Sequence, residues 1–333
     1  MNELWLDVHG VKVSLRGDAE ALSGMRRHFA AFLAEQASRA DVTIELERRE
    51  PRLDAPTRLR AEQILERGIV YNEGPRTFID HHGSALSLYD FSTERGAVIA
   101  TDPVDLVELG YLMVHSRLGV LLETRGFVRL HALGVALGSR AGLVLCPSGG
   151  GKSRLAITAL TRGGVELLGD DIVLFDRDGL AHGFPQPLGI PRPEAAQGLG
   201  PAVSFVRRHH PPKWLIEIGP LEPRFARGPK SVALIALCRR VSSGPSRALP
   251  ASRVEVLGEL WRDMVIGLGL PQVFELVARR GARDLGKLAP SAARRARRAI
   301  TVARAARGVV LEVFDPESAI AALVSELERG SEQ

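Results

Sequence analysis

The chain has 333 residues, of which 45% are hydrophobic and 25% charged, and its formal net charge is +5. This length accommodates two domains that each bury a core, and the composition is that of an ordinary globular protein. No apolar run approaches the roughly 18 residues of a membrane span, which excludes a helical membrane protein and argues against a membrane partner. The two cysteines, Cys146 and Cys238, do not indicate a disulfide framework. Because the N-terminal residues do not resemble a signal peptide, we predict a cytoplasmic location.

The first 125 residues predict an α+β domain. Residues 5–8 and 11–15 alternate like paired strands across a His9-Gly10 turn, and a helix with apolar positions at helical spacing follows Asp18. Residues 41–47 and several short runs in 69–100 predict further strands, so we expect an antiparallel sheet with a helix. A helix over 103–124 then leads to a boundary near Arg125-Gly126, which gives domains 1–125 and 126–333.

A glycine-rich stretch, C-P-S-G-G-G-K-S from Cys146 to Ser153, organises the second domain. A short apolar strand precedes it, and a helix over 154–160, closed by Gly163-Gly164, follows it. Strand, glycine loop and helix in this order predict a phosphate-binding P-loop, in which the lysine contacts the outer phosphates and the serine ligates Mg²⁺. Cys146 replaces the first glycine of the usual motif. The predicted nucleotide-binding residues are Ser148, Gly149, Gly150, Gly151, Lys152, Ser153 and Arg154.

An acidic pair, Asp170-Asp171, lies between two apolar strands, after which residues 176–179 read as a hairpin turn. Two carboxylates at a strand end beside a phosphate loop can hold Mg²⁺ or accept a proton from an attacking hydroxyl. Successive strand residues point to opposite faces, so the two aspartates are expected to have different tasks. Kinases of the shikimate-kinase type usually continue here into a helix rather than a hairpin.

These segments resemble the catalytic core of the HPr kinase/phosphorylase family, including its relatives that phosphorylate serines on other proteins or peptides. In that family a histidine precedes the P-loop lysine by 21 positions and a catalytic aspartate follows it by 18, and His131, Lys152 and Asp170 reproduce both intervals. The resemblance covers about fifty residues. It implies an α/β fold like that of phosphoenolpyruvate carboxykinase, with a P-loop domain built on a mixed sheet and preceded by the α+β domain.

The resemblance also implies a chemistry. Asp170 would be the proton acceptor, Lys152 would contact the phosphates of ATP, and His131 would lie in the active site. Ser153 would ligate Mg²⁺, and Asp171 is left to ligate it through water or to brace the loop. The implied reaction is transfer of the γ-phosphoryl of ATP to a serine of a peptide or small protein, and a homo-oligomer is plausible.

Residues further along the chain are candidates for acceptor binding. A Pro-rich segment containing Arg192 is similar in character to one that follows the acidic pair in the peptide-kinase relatives. A basic, Pro-broken loop over 203–214, with Arg207, Arg208 and Lys213, could receive an acidic substrate segment or be an exposed crossover. The family's later Glu-containing segment has no clear match, although Glu194 falls at about the right distance. The second metal ligand and any reverse phosphorylase activity therefore stay open.

Arginines and one lysine concentrate between residues 279 and 307, where Asp284 is the only acid. Such a cluster could contact nucleic acid or an acidic peptide, or it could be a solvated helix face. We favour the solvated face and do not expect nucleic acid as a partner, since no aromatic residues interleave with the charges to stack bases. The basic residues are Arg279, Arg280, Arg283, Lys287, Arg294, Arg295, Arg297, Arg298, Arg304 and Arg307.

Two other functions remain open from the sequence. A kinase for a small hydroxylated metabolite would show the same P-loop and acidic pair. A nucleotide-responsive binding protein without transfer activity is the non-enzymatic alternative, supported only by the departure at Cys146. Outside the site, residues 231–238 predict a buried strand, 309–314 the last strand, and Asp315-Pro316-Glu317 the start of a final helix.

Overall fold

A computed structural model describes residues 2–51, 58–147, 149–207, 210–271, 284 and 286–329. The chain divides into two compact units. The first comprises Met1–Leu122 with the described parts of Val206–Pro212 and Pro271–Ala289, and the second comprises Glu123–Phe205, Lys213–Leu270 and Pro290–Gln333. The first boundary lies close to the predicted Arg125-Gly126, but the units are not contiguous segments as the predicted domains are.

The described residues between 2 and 124 form nine strands and two α-helices, nearly all of which belong to the first unit. They are β1 (Asn2–Val8), β2 (Val11–Gly17), α1 (Ala19–His28), β3 (Leu33–Ala34), β4 (Val42–Arg48), β5 (Gln63–Leu65), β6 (Gly68–Glu73), β7 (Arg76–Asp80), β8 (Ala85–Asp90), β9 (Arg95–Ala100) and α2 (Pro103–Thr124), whose last residues belong to the second unit. The strands form one sheet in the order β3-β1-β2-β4-β9-β8-β7-β6-β5.

This sheet is mixed, so the prediction of an antiparallel sheet is wrong in part. The β1–β2 hairpin turns at His9 (φ 48°) and Gly10 (φ 85°), as predicted. However, β4 pairs in parallel with both β2 and β9. The reason is that α1 lies between β2 and β4 and carries the chain back to the same end of the sheet, which a parallel pair requires.

From residue 123 onward the described residues form further strands and four α-helices. The elements are β10 (Val128–Leu130), β11 (Leu133–Leu137), β12 (Arg140–Leu145), α3 (Lys152–Arg162), β13 (Glu166–Gly169), β14 (Val173–Phe175), β15 (Ala181–Gly183), β16 (Leu188–Ile190), β17 (Ala202–Arg207), β18 (His210–Ile216), β19 (Ser231–Arg240), β20 (Arg247–Pro250), α4 (Arg253–Leu260), α5 (Ala289–Ala305), β21 (Arg307–Val313) and α6 (Pro316–Arg329).

A six-stranded sheet, in the order β13-β11-β12-β19-β21-β20, forms the centre of the second unit. Strands β12, β19 and β21 are parallel and the outer pairs antiparallel, which confirms an α/β class with a mixed sheet. Along β12 the two faces alternate. Leu143 and Leu145 join a buried cluster with Leu260 of α4, whereas a Cβ on Gly142 would lie 3.1 Å from Leu327 of α6.

Two smaller sheets are also present among the described residues, and one of them includes residues 206–207 and 210–212, which are assigned to the first unit. Strands β10, β14 and β15 form one of them, and the β14–β15 pairing of Val173 with Gly183 confirms the hairpin predicted after the acidic pair. The other has the order β16-β18-β17, so the predicted loop over 203–214 is wrong, because it contains two strands. Alternating side chains such as Val203 and Phe205 suit a pleated sheet. In the described part of the chain, no helix is both long and apolar enough to cross a bilayer.

Candidate functional site

The glycine loop joins β12 to α3 and depends on glycine at three positions. Gly149 (φ 73°) and Gly151 (φ 96°) adopt left-handed backbone angles, and Gly151 is the N-cap of α3. The Gly150 N–H donates to the Pro147 carbonyl over 2.8 Å, and a Cβ on Gly150 would lie 2.8 Å from that oxygen. The N–H groups of the first helical turn have no intrahelical acceptor, so the loop and the helix start form a site for an anion such as a phosphate.

Cys146, which replaces the first glycine of the motif, fits the loop without strain. Among the described residues, the non-glycine positions with positive φ are His9, His82 and Glu94, so Cys146 has an ordinary backbone conformation. Its side chain is buried, with 1% of its surface exposed. The departure from the motif therefore creates no backbone obstacle to phosphate binding.

The sheet topology brings Asp170 to this loop. Strand β13 is antiparallel to β11, which is antiparallel to β12, so β13 and β12 end at the same edge of the sheet. Asp170 directly follows β13, and the Ser153 hydroxyl donates to its Oδ2 over a long 3.5 Å. Asp170 is 4% exposed, whereas the neighbouring Asp171 is exposed to solvent. The two aspartates therefore occupy different environments, although both lie in the bend between β13 and β14 and not on a strand, so the alternation of strand side chains is not the reason.

Burial raises the pKa of Asp170 well above its usual range, and the negative charge of Asp171 raises it further. The positive charges of Lys152 and Lys213 oppose this rise without cancelling it. A carboxylate in this environment binds a proton more readily than an exposed one. Since a general base works best when its pKa approaches the pH of the reaction, the environment of Asp170 suits proton acceptance.

His131 connects the acidic pair to the P-loop lysine. It directly follows β10, whose Leu130 pairs with Val173, so the histidine lies beside the acidic pair. Its Nδ1–H donates to the Asp171 carbonyl over 3.0 Å, and Nε2 is 3.0 Å from Nζ of Lys152. Because a carbonyl only accepts, the proton is on Nδ1, and a neutral ring can accept at Nε2 from the lysine.

Charge and burial keep this histidine neutral. Burial lowers the pKa of His131, and the ammonium group of Lys152 lowers it further. The lysine is itself 8% exposed and also donates to the Cys146 carbonyl over 3.2 Å. Neutral His131 can therefore accept from Lys152 and fix the position of its ammonium group at the start of α3.

The segment over 253–270 contacts His131, and the sequence did not predict that it belongs to the site. The Asp263 carbonyl accepts from the His131 N–H over 3.4 Å. The Asp263 carboxylate is buried and binds the guanidinium of Arg262 through two contacts of 2.7 and 2.9 Å. Gly269 (φ 84°) lies so close that a Cβ there would be 2.4 Å from Cδ2 of His131. Asp263 belongs to a π-helix (Trp261–Ile266), and Gly269 lies in the turn after it.

One sequence pattern could have identified this segment. Ser252 and Glu255 form a capping box at the start of α4, a pattern that is readable as S-x-x-E. Nothing in the sequence, however, indicates that the helix continues into a π-helix or that Asp263 lies behind His131. Irregular helix turns of this kind are frequent at functional sites.

A cavity of about 690 Å³ borders the glycine loop. Three groups line it: the loop residues Pro147, Gly149 and Gly150, the end of β19 with Cys238, Arg239 and Arg240, and the α4 residues Glu255, Gly258 and Glu259. Its volume is in the range of pockets that bind small molecules. Because it opens at the carboxyl ends of parallel strands, it lies where α/β sheets commonly bind ligands.

The remaining predicted residues are more dispersed. Lys213 is exposed on β18, and its charge reaches Asp170. Arg154 is exposed in the first turn of α3, and Arg192 and Glu194 are exposed beside a short 3-10 helix, Pro193–Ala196. Arg207 belongs to β17, in a segment assigned to the first unit. The predicted site residues Ser148 and Arg208 lie outside the described residues.

Three arginines of the cluster form ion pairs or hydrogen bonds with other parts of the second unit. The buried carboxylate of Glu123 pairs with Arg295 at 2.5 Å and with Arg294 at 3.6 Å. Arg298 donates to the carbonyl of Arg177. These three arginines therefore make contacts within the fold, which the prediction of a solvated helix face did not include. Arg279, Arg280 and Arg283 lie outside the described residues.

Mg²⁺ would find oxygen ligands at this site. The Ser153 hydroxyl and the carboxylate of Asp170 converge, and oxygen donors are what Mg²⁺ prefers. Within the described residues no preassembled group of three or more His, Cys, Asp or Glu side chains is present. Such a cage is not required, because Mg²⁺ is usually held by one or two carboxylates together with substrate phosphates and water.

No protein-family model and no curated protein matches this chain. Its function must therefore be inferred from the site itself.

Proposed function

We propose that this protein is an ATP-dependent phosphotransferase that moves the γ-phosphoryl of ATP to a serine hydroxyl of a peptide or small protein. The observation that carries the proposal is the convergence of Lys152, Ser153 and the buried Asp170 at the start of α3. The resemblance to the HPr kinase/phosphorylase family supports it, as does the hairpin after the acidic pair. A fold of the phosphoenolpyruvate carboxykinase type is part of the proposal.

The loop would bind the phosphates of ATP. The backbone N–H groups of Gly149 and of residues 151–154 would face the phosphate chain, whereas the Gly150 N–H stays on the Pro147 carbonyl. Lys152 would exchange its contact with His131 for one with the outer phosphates. The cavity of about 690 Å³ beside the loop has room for the remainder of a nucleotide. These residues would hold the donor in line with an incoming hydroxyl, and such positioning supplies much of the catalysis in phosphoryl transfer.

Bound Mg²⁺ would supply charge neutralisation at the outer phosphates. Ser153 and Asp171 are the proposed ligands, Asp171 through water. The structure brings the Ser153 hydroxyl to Asp170 rather than to Asp171, so Asp170 could contribute to metal binding as well. Substitution of each aspartate separates these roles.

Asp170 would accept the proton of the serine hydroxyl as that oxygen attacks the γ-phosphorus. Its raised pKa gives it the proton affinity that this task requires. Lys213, whose charge reaches Asp170, is exposed and available to an acidic acceptor segment. We further propose that the protein works in the cytoplasm as a homo-oligomer and that its partner is not a nucleic acid.

A transfer assay tests the proposal. The full chain is incubated with Mg²⁺, γ-labelled ATP and an arrayed library of serine-containing peptides, with Lys152→Ala as the matched inactive variant. We expect label on serine for a subset of peptides, and its loss with Lys152→Ala. Label that appears only on small hydroxylated metabolites would favour the metabolite kinase, and nucleotide binding without acceptor-dependent ATP consumption would favour the non-catalytic alternative.

A further inference from the structure

The two cysteines of the chain lie side by side at the phosphate loop. Strands β12 and β19 are parallel, and their last paired residues are Leu145 and Leu237. One residue further along each strand are Cys146 and Cys238. Paired residues on neighbouring strands point to the same face and lie about 5 Å apart, which is within the Cα separation of about 4.4–6.8 Å that a disulfide spans. Both thiols are unoxidised in the structure.

The environments of the two thiols differ. Cys146 is buried, and the neighbouring Cys238 thiol together with burial raises its pKa. Cys238 is half-buried and lines the cavity beside the loop, so a small solute can reach it. The neighbouring Cys146 thiol and the nearby cations of Lys152 and Arg240 lower the pKa of Cys238. A thiolate that is accessible and next to a second thiol is the usual arrangement of a reactive cysteine with its resolving partner.

We infer that Cys146 and Cys238 form a reversible intramolecular disulfide when a peroxide enters the cavity. The Cys238 thiolate attacks the peroxide oxygen, which gives a sulfenic acid and releases hydroxide. The Cys146 sulfur then attacks the Cys238 sulfur, and the Cys146 proton leaves with the sulfenic oxygen as water. In total, two thiols and one hydrogen peroxide become one disulfide and two waters. A dithiol reductant reverses the step.

This disulfide would change the nucleotide loop directly. The Cys146 carbonyl accepts from Lys152, and the Cys238 thiol contacts the Gly150 carbonyl over 4.0 Å. Oxidation draws the two sulfurs into a bond and removes the thiol hydrogen that faces Gly150. Since both changes reach residues that would bind phosphate, we expect the oxidised protein to bind Mg·ATP at least tenfold more weakly. This consequence depends on the proposed function, whereas disulfide formation does not.

Peptide mapping tests the inference. The full chain is treated with hydrogen peroxide, and the cysteine thiols that remain free are then blocked. Tryptic peptides are analysed without reduction. Peptides 141–152 and 231–239 each contain one of the cysteines. We expect them as one cross-linked species, lighter by two hydrogens than their sum and separated again by dithiothreitol. Cys146→Ser should instead stop at an oxidised Cys238, and Cys238→Ser should leave Cys146 unreacted.

Several results would overturn the inference: both thiols unreacted in peroxide-treated folded protein, a disulfide between two chains, or over-oxidised Cys238 with Cys146 still free. Calorimetry with Mg·ATP on reduced, oxidised and re-reduced protein then measures the effect on the loop. Equal affinity in all three states would refute the regulatory consequence. No binding in any state would refute the proposed function, while the peptide map would still decide whether the disulfide forms.

Discussion

Replacement of Asp170 by asparagine separates the catalytic role of this residue from its effect on stability. The change keeps the shape of the side chain and its ability to accept from Ser153 but removes the basic carboxylate. We expect phosphoryl transfer to fall by about 10²-fold or more, the usual scale for a lost general base. Affinity for Mg·ATP should change much less, because the loop N–H groups, Lys152 and Ser153 make most of the nucleotide contacts.

The same variant should be more stable than the wild type at neutral and alkaline pH. The pKa of Asp170 is raised in the folded state, so folding favours the protonated form. Protonated Asp170 makes its full contribution to the free energy of unfolding below the pKa of the unfolded state, about 4. This contribution is lost as the pH rises through the pKa of Asp170 in the folded state. Asparagine does not ionise, so its advantage should be small near pH 4 and grow with pH. Each tenfold increase in proton affinity on folding corresponds to about 1.4 kcal/mol, so we expect a gain of a few degrees in melting temperature.

Asp171→Asn is the matched control, since its side chain is exposed and its stability effect should stay within about 0.5 kcal/mol. The charge of Asp171 raises the pKa of Asp170, so its loss should lower that pKa. The transfer rate of Asp171→Asn should therefore begin to increase at a lower pH than that of the wild type. Thermal unfolding between pH 4 and 9 and steady-state transfer rates measure these effects. Near-normal turnover in Asp170→Asn together with its loss in Asp171→Asn would show that the two roles are exchanged.

Five further substitutions, two of them matched controls, test the loop and the residues that contact it. Gly151 and Gly163 have positive φ and lie at the two ends of α3, so replacement of either by alanine should destabilise the fold by about 1–3 kcal/mol. Only Gly151→Ala should also weaken Mg·ATP binding, by about tenfold or more, as measured by calorimetry. Gly269→Ala should slow transfer by about 10- to 100-fold relative to Gly267→Ala, because both positions are similarly strained but only the first new methyl displaces the ring of His131. Lowering the pH through about 6.5 should destabilise the fold through His131, whose pKa is lowered in the folded state, and His131→Gln should reduce that loss in urea titrations. Equal effects of the paired glycine variants, or an unchanged pH profile, would contradict these assignments.

Local patterns in the sequence were sufficient to locate the centre of the second unit. The apolar run before Cys146, the glycines and the amphipathic helix act within a few residues of one another, so β12, the loop and α3 are as predicted. The final helix begins as expected, with the Ser318 N–H donating to Asp315 over 2.9 Å. These elements depend on short-range backbone geometry, which composition and spacing express directly.

What depends on distant contacts could not be predicted in the same way. The parallel pairing of β4 with β2 and β9 is set by which strands meet, not by their local alternation. The proximity of Cys146 and Cys238 follows from the register of β12 and β19, which are separated by many residues. Likewise, Asp263 supports His131 through a backbone carbonyl in a π-helix, a contact that leaves no side-chain pattern in the sequence.

Calorimetric titration of the full-length protein with ATP in the presence of Mg²⁺ tests the central claim most directly. The account predicts one saturable site per chain with a dissociation constant no weaker than about 1 mM, the upper end of ordinary enzyme–substrate affinities, and a clear loss of affinity in Lys152→Ala. Folded protein that binds no ATP at millimolar concentration, or that binds it equally well in Lys152→Ala, would show that residues 146–153 are not a nucleotide-binding loop.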